Sequence, residues 1–210
     1  MISHQHRVVF VHIPKTGGQS IETVFLSMLG LSWGERAPLL LRPNDNPKNG
    51  PPRLAHLLAS QYYECHYISR ELYDRYFVFS FVRNPWDRVV SFYRYLGFSS
   101  KISLEEFVLN HLVPAVESGH WFVRPQVDFI VRDGKLMVDY VGRFESLQAD
   151  FGYVMATLGL PPVGLPRINQ SSLECFKEIA WTDAAVCGVD KVYHQDVSWF
   201  GYQAPKVTDG

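Results

Sequence analysis

The sequence predicts an α/β fold, a three-layer domain with a mainly parallel central sheet, spanning residues 1–210 as a single domain. Two segments carry that prediction. Val8–Ile13 and Tyr76–Val82 are almost continuously apolar and rich in β-branched and aromatic residues, the pattern of strands buried on both faces of a parallel sheet. Each runs directly into a helix start, the signature of a βα unit. A third segment, 136–144, reads as a weaker strand because Asp139 and Gly142 interrupt it. A chain of 210 residues buries about 70% of its unfolded surface, so the core needs neither disulfide nor metal.

The remaining elements follow in order. His4 and His6 fall in a segment expected to fray. Beyond residue 20, apolar side chains recur at Ile21, Val24, Phe25, Met28 and Leu29, one face of a helix, and Gly30 supplies the stop. Trp33–Arg53 carries Pro38, Pro43, Pro47, Pro51 and Pro52 and reads as a long loop, either a functional lid or a disordered excursion. After the second strand, Asn84 can cap a helix with Pro85 in its first position and Trp86, Val89, Val90, Tyr93 and Leu96 on one side, until Gly97. Segments 104–112 and 147–158 look helical, and the chain from Trp181 mixes short helix with aromatic loop. Asp139 sits within a strand, not at its end, and reads as structural.

Composition excludes several classes. Twenty Lys and Arg against twenty-one Asp and Glu give a net charge of −1, so neither nucleic acid nor an anionic membrane is attracted in bulk. Any polyanion must meet a local patch. The early apolar run ends at Pro14 and is too short to span a membrane, so no membrane segment is expected. Cys65, Cys175 and Cys187 lack CxxC spacing and read as small buried hydrophobes of a reducing, cytoplasmic setting.

Between the first strand and its helix lies Pro14-Lys15-Thr16-Gly17-Gly18-Gln19-Ser20. In that setting the backbone N–H groups and the positive end of the helix dipole converge on one point, which favours an anion. Gly17 and Gly18 let the chain curl around a phosphate, Lys15 adds a mobile cation and Ser20 a hydroxyl. The spacing is not that of the nucleoside triphosphatase loop, because Lys15 precedes the glycines. Arg83 ends the second strand and Ser91 lies two helical turns further on. Strands of a parallel sheet deliver ligands at their carboxyl ends, so Lys15 and Arg83 are expected to open onto one crevice, where the guanidinium grips a second phosphate. The same arginine could instead clamp onto Asp87 or Glu22 as a structural ion pair.

His12-Ile13-Pro14-Lys15-Thr16-Gly17-Gly18-Gln19-Ser20 together with the segment from Phe79 through Arg83-Asn84-Pro85-Trp86-Asp87 to Ser91-Phe92-Tyr93 resembles the sulfotransferases. The likeness is greatest to the carbohydrate branch that includes heparan sulfate 2-O- and 6-O-sulfotransferases and bacterial relatives. It continues through Arg124-Pro125-Gln126, Gly142-Arg143-Phe144-Glu145, Asn169-Gln170-Ser171 and Phe200-Gly201-Tyr202. The resemblance implies a P-loop-like sulfotransferase fold that transfers a sulfuryl group from 3′-phosphoadenosine 5′-phosphosulfate (PAPS) to a hydroxyl, with a carbohydrate as the expected acceptor. It implies that Lys15, Thr16, Gly17, Gly18, Gln19 and Ser20 hold the 5′-phosphosulfate, that Arg83 and Ser91 hold the 3′-phosphate, and that Asn169 and Ser171 lie near the nucleotide.

In-line sulfuryl transfer needs a base for the acceptor proton and a cation on the departing phosphate, and no metal. Lys15 supplies the cation. His56 follows the Pro-rich loop, where related carbohydrate enzymes place a catalytic histidine, and is the first candidate base; His66 is the second. His12 is expected to pack or hydrogen-bond locally. Trp33, Trp86, Trp121, Trp181 and Trp199 could stack on adenine or sugar, but most are expected in the core or at its rim. The rival readings are a small-molecule kinase using ATP and Mg²⁺, disfavoured by the missing GK[ST], and a catalytically inactive nucleotide-binding interaction module, disfavoured by an intact Lys15 and an available His56.

Overall fold

The computed structural model describes residues 1–166, 168 and 180–207. The chain divides into two compact units, one formed by Met1–Val82 and Asp128–Ile168, the other by Arg83–Val127 and Asn169–Gly210.

The first unit holds the sheet. Its strands are β1 (Ile2–Ser3), β2 (Val8–Val11), β3 (Phe77–Val82) and, beyond a small hairpin of β4 (Val131–Arg132) and β5 (Lys135–Leu136), β6 (Tyr140–Arg143). The order is β1-β2-β3-β6. β2, β3 and β6 run parallel, with Phe10 opposite Phe79 and Phe81 opposite Gly142, while β1 pairs antiparallel to β2. The fold is therefore mixed α/β with a mainly parallel central sheet. Phe10, Phe79 and Phe81 point into one core with Ile21, Val24 and Phe25 of α1 (Gly18–Met28) and Phe151, Val154 and Met155 of α8 (Leu147–Thr157). Burying each such aromatic contributes about 1.5 to 3 kcal/mol. The short helices α2 (Gln61–Glu64) and α3 (Arg70–Arg75) also belong to this unit.

The second unit is helical: α4 (Pro85–Tyr95), α5 (Leu104–Phe107), α6 (Val113–Glu117) and α9 (Asp183–Phe200), with α7 (Val127–Ile130) leading back to the first unit. Trp86, Val89 and Tyr93 of α4 pack with Phe107, Leu112, Val123, Val189 and Tyr193. Asn84 accepts a hydrogen bond from the Trp86 amide at 3.0 Å and Pro85 occupies the first turn, as the sequence predicts; Leu96 is exposed instead of packed.

Several expectations change. The first strand stops at Val11 because the carbonyls of His12 and Ile13 are taken by side chains, His56 Nδ1 at 2.9 Å and Thr16 Oγ1 at 2.9 Å. The 136–144 strand shrinks to Tyr140–Arg143. Leu136 belongs instead to a hairpin turned by Asp133 and Gly134, both at positive φ (50° and 71°), a signal the Asp-Gly pair carries in sequence. Asp139 is structural as expected, accepting from the Val78 amide at 2.7 Å. The 104–112 helix passes through a π-helical turn at Val108–Leu112, where Pro114 cannot donate a regular backbone bond. From Thr182, which caps it, the chain is helical over Asp183–Phe200 but kinked at Tyr193 (φ −121°, ψ 18°), so it runs as two helical pieces, with less loop than expected. The segment expected to fray is ordered: Ile2 and Ser3 pair with Val9 and Val8, and His6 Nδ1 lies 2.8 Å from Ser3 Oγ. Trp33–Arg53 contains three 3₁₀ turns, tied by Asn44 Nδ2 donating to the Asn46, Gly50 and Pro51 carbonyls. Cys65 is half-buried and Cys187 exposed, so neither is the buried small hydrophobe expected.

Candidate active site

In the first unit the motif Pro14 to Ser20 leads from the loop after β2 into the first turn of α1, which begins at Gly18. Gly17 is the N-cap residue at φ 84°, no side chain caps α1, and its first turn carries no acidic residue. That donor set fits an oxyanion: a helix start with its dipole uncompensated, beside the half-buried Lys15. Thr16 is buried and its hydroxyl donates to the Ile13 carbonyl at 2.9 Å, so this residue shapes the loop from within. Lys15 itself holds a left-handed φ of 69°.

Behind the loop stands a buried pair. His12 Nδ1 donates to Glu22 Oε1 at 2.6 Å, so Glu22 is engaged with His12. The His12 ring lies directly over Gly18, where an added Cβ would sit 2.2 Å from His12 Cδ2. His56, in the 3₁₀ turn Leu54–His56, donates from Nδ1 to the His12 carbonyl, which leaves the lone pair of a neutral ring on Nε2; the two imidazoles lie 4.5 Å apart by centroid. Close packing strips the His56 ring of water and neighbouring His12 adds repulsion, so its pKa lies well below the ordinary histidine value despite the bond to the carbonyl. His66 is exposed at φ 60° in the turn after α2, whose neighbours Cys65 and Tyr67 bond to the Lys48 and Asn49 carbonyls.

Arg83 and Ser91 belong to the second unit. Arg83 is buried, and its backbone is held twice by one side chain: its N–H donates to Gln126 Oε1 at 2.8 Å and its carbonyl accepts from Gln126 Nε2 at 2.8 Å. Ser91 is half-buried on α4. Gln126 is held in turn by Asp196 of α9, whose carboxylate accepts from the amides of Gln126 and Val127, each at 2.9 Å. Burial pushes the Asp196 carboxyl up, opposed by the Arg88 guanidinium. Neither Gln126 nor Asp196 was singled out as a site residue from sequence. A signal existed for Asp196, a carboxylate on the buried stripe Val189, Tyr193, Asp196, Phe200 of α9. Trp86 and Trp181 are buried, whereas Trp33 and Trp199 are exposed. Asn169, Ser171 and Cys175 lie outside the described residues.

A strand, a glycine-bearing loop and a helix N-terminus in succession make a setting that favours an anion, and comparison with known proteins gives the chain a family. Residues 1–203 match the sulfotransferase family, and the chain belongs to it. It is 35% identical over 116 residues to an uncharacterized protein of Archaeoglobus fulgidus, covering 53% of this chain and 92% of that one. It is 23% identical over 249 residues to carbohydrate sulfotransferase 10 of Xenopus laevis, covering 97% of this chain and 67% of that one. No solved structure matches. No helix among the described residues is long and apolar enough to cross a membrane.

Proposed function

We propose that this sulfotransferase uses PAPS to sulfate a hydroxyl of a carbohydrate, with residues 1–210 acting as one sulfotransferase domain. The observation that carries the reading is the uncapped start of α1 beside Lys15, with the Nε2 of His56 left as acceptor by the His12 carbonyl. When bound, PAPS supplies an activated sulfuryl group on its 5′-phosphate for in-line displacement. Lys15 with Thr16, Gly17, Gly18, Gln19 and Ser20 binds the phosphosulfate and takes up charge on the departing phosphate. Arg83 and Ser91 hold the 3′-phosphate, and His56 Nε2 takes the acceptor proton. The match to a carbohydrate sulfotransferase supports a sugar acceptor, and the motifs around Lys15 and Arg83 favour the heparan-sulfate-like branch. A cytoplasmic setting belongs to the same reading.

Turnover of PAPS against a panel of oligosaccharides, lipids and small alcohols tests it. Activity with a saccharide that persists in excess EDTA is expected. Absence of turnover with every acceptor, or loss in EDTA restored by Mg²⁺, overturns the reading and favours ATP-dependent phosphoryl transfer.

A further inference from the structure

The backbone of Arg83 leaves the sheet immediately after β3, so its N–H and C=O have no strand to pair with. A buried amide and carbonyl must find partners, and most chains supply water or main chain. Here both are met by one fully buried side-chain amide, that of Gln126, in a bidentate clasp. Such a clasp restrains more than position. Two parallel bonds to the N–H and C=O of one residue fix the orientation of both its peptide planes, and with them the direction in which the side chain leaves Cα.

The clasp is itself anchored with unusual redundancy. The strap 123–127, on which Gln126 sits, has no regular structure before α7 begins, yet four of its backbone groups are tied to α4 and α9. Tyr193 donates to the Val123 carbonyl at 2.6 Å, Arg88 donates to the Arg124 carbonyl at 3.0 Å, and Asp196 accepts from the Gln126 and Val127 amides at 2.9 Å. Arg88 and Asp196 are both fully buried. Satisfying two backbone groups at Arg83 does not by itself call for a buried charged framework.

We propose that Gln126 is a specificity-determining positioning residue: by orienting Arg83 it sets the preference for a nucleotide bearing a 3′-phosphate. This rests on the reading of Arg83 as the 3′-phosphate ligand. A guanidinium grips a phosphate bidentately only when its plane is presented at the right angle, so orientation controls the contact and nothing else in the nucleotide. Gln126 does not touch the ligand.

The test compares binding of adenosine 3′,5′-bisphosphate and adenosine 5′-monophosphate by calorimetry, in wild type, Gln126→Met and Gln126→Glu. Wild type is expected to prefer the bisphosphate. Gln126→Met, of similar volume with neither bond, is expected to cut that preference about tenfold or more while leaving the monophosphate affinity unchanged. Gln126→Glu retains the acceptor for the Arg83 N–H and loses the donor to its carbonyl; it is expected to cut the preference by a smaller factor, and it stands in should the apolar variant not fold. A preference equal to wild type in a folded variant overturns the proposal, as does equal loss of affinity for both nucleotides, which marks a merely structural role. Equal affinities in wild type overturn the assignment of Arg83 and the proposal with it, so the two failures are distinguishable.

Discussion

The loop of the first unit is arranged mostly by short reaches of chain: Thr16 bonds back three residues to Ile13, and His12 reaches ten residues to Glu22. In the second unit, Arg83 is held by Gln126 at a separation of 43, and Gln126 by Asp196 at a separation of 70. The first region can take its form as soon as one βα unit exists. The second takes its form only when α4, the strap 123–127 and α9 have packed. Local wiring makes a region readable and cheap to assemble, whereas distant wiring makes it dependent on the whole unit. His56 is the exception in the first region, reaching His12 across 44 residues.

That exception carries the largest predicted effect. His56→Ala is expected to lower kcat by about 10²- to 10⁴-fold with nucleotide affinity nearly unchanged, because a base acting in the transition state adds little to ground-state binding. The sign of the pH dependence follows from burial. Desolvation favours the neutral ring, so the acid limb of kcat/KM should lie below the ordinary histidine pKa near 6.5, and neutral His56 contributes stability that is lost as pH falls through its lowered value. Steady-state kinetics from acid to neutral pH check both. A limb at or above 6.5 in wild type, or near-normal turnover in His56→Ala, removes His56 as the base.

The next largest effect falls on the long-range region. Asp196 meets two amide donors with its two oxygens, so Asp196→Asn sets an NH₂ group against one of them and removes a buried carboxylate charge that acts on Arg88. Leaving a buried amide donor without its acceptor costs about 1 to 3 kcal/mol, and more where a charge is lost with it. Thermal denaturation should show it as a fall of roughly 2 to 4 °C per kcal/mol for a chain of this size. An unchanged Tm breaks the contrast, since the second unit would then not depend on its distant ties.

How much of each region the sequence discloses follows the same division. The order of residues 8–30, a buried strand, a glycine loop and an amphipathic helix, is contiguous, and periodicity alone reads it. Asn84 and Pro85 are equally readable because a cap acts within one turn. The kinked helix α9 is not, for its buried stripe carries Gly188 and Asp196 among Val189, Tyr193 and Phe200, and the break at Tyr193 blurs the apolar pattern further. Gln126 falls in the Arg124-Pro125-Gln126 segment of the family resemblance, but nothing in the sequence ties its side chain to Arg83, 43 residues away. Leu136 misleads for another reason, since an apolar run before Asp139 resembles a strand extension while the Asp133-Gly134 turn has already claimed it.

A smaller effect sharpens the comparison within the local region. Gly18→Ala would drive a Cβ to 2.2 Å from the buried ring of His12, and overpacking of that sort costs about 1 to 3 kcal/mol. Gly34→Ala is the control, because its Cβ meets only Ser32 Oγ at 3.8 Å. Urea denaturation of both should separate them by about that difference. Equal midpoints show that the His12 ring yields, and that the pair with Glu22 is less fixed than its 2.6 Å contact implies.

The smallest effect is that of Ser91, and it is read best against Arg83. The clasp from Gln126 holds the backbone of residue 83, so Arg83→Ala removes the guanidinium while both bonds to the main chain persist, and the fold should survive. A bidentate charged contact to the 3′-phosphate is worth about 1.5 to 3 kcal/mol, and that loss should appear for adenosine 3′,5′-bisphosphate and not for the 5′-monophosphate. Ser91 is half-buried and offers one hydroxyl, for which water substitutes well. Ser91→Ala should therefore weaken the bisphosphate by only about 0.5 to 1.5 kcal/mol, again with no change for the monophosphate. Calorimetry on the two variants gives the ordering directly. A larger loss at Ser91 than at Arg83 would mean that the hydroxyl on α4, and not the clasped arginine after β3, is the principal 3′-phosphate contact, and the long-range framework around Gln126 would then serve packing alone.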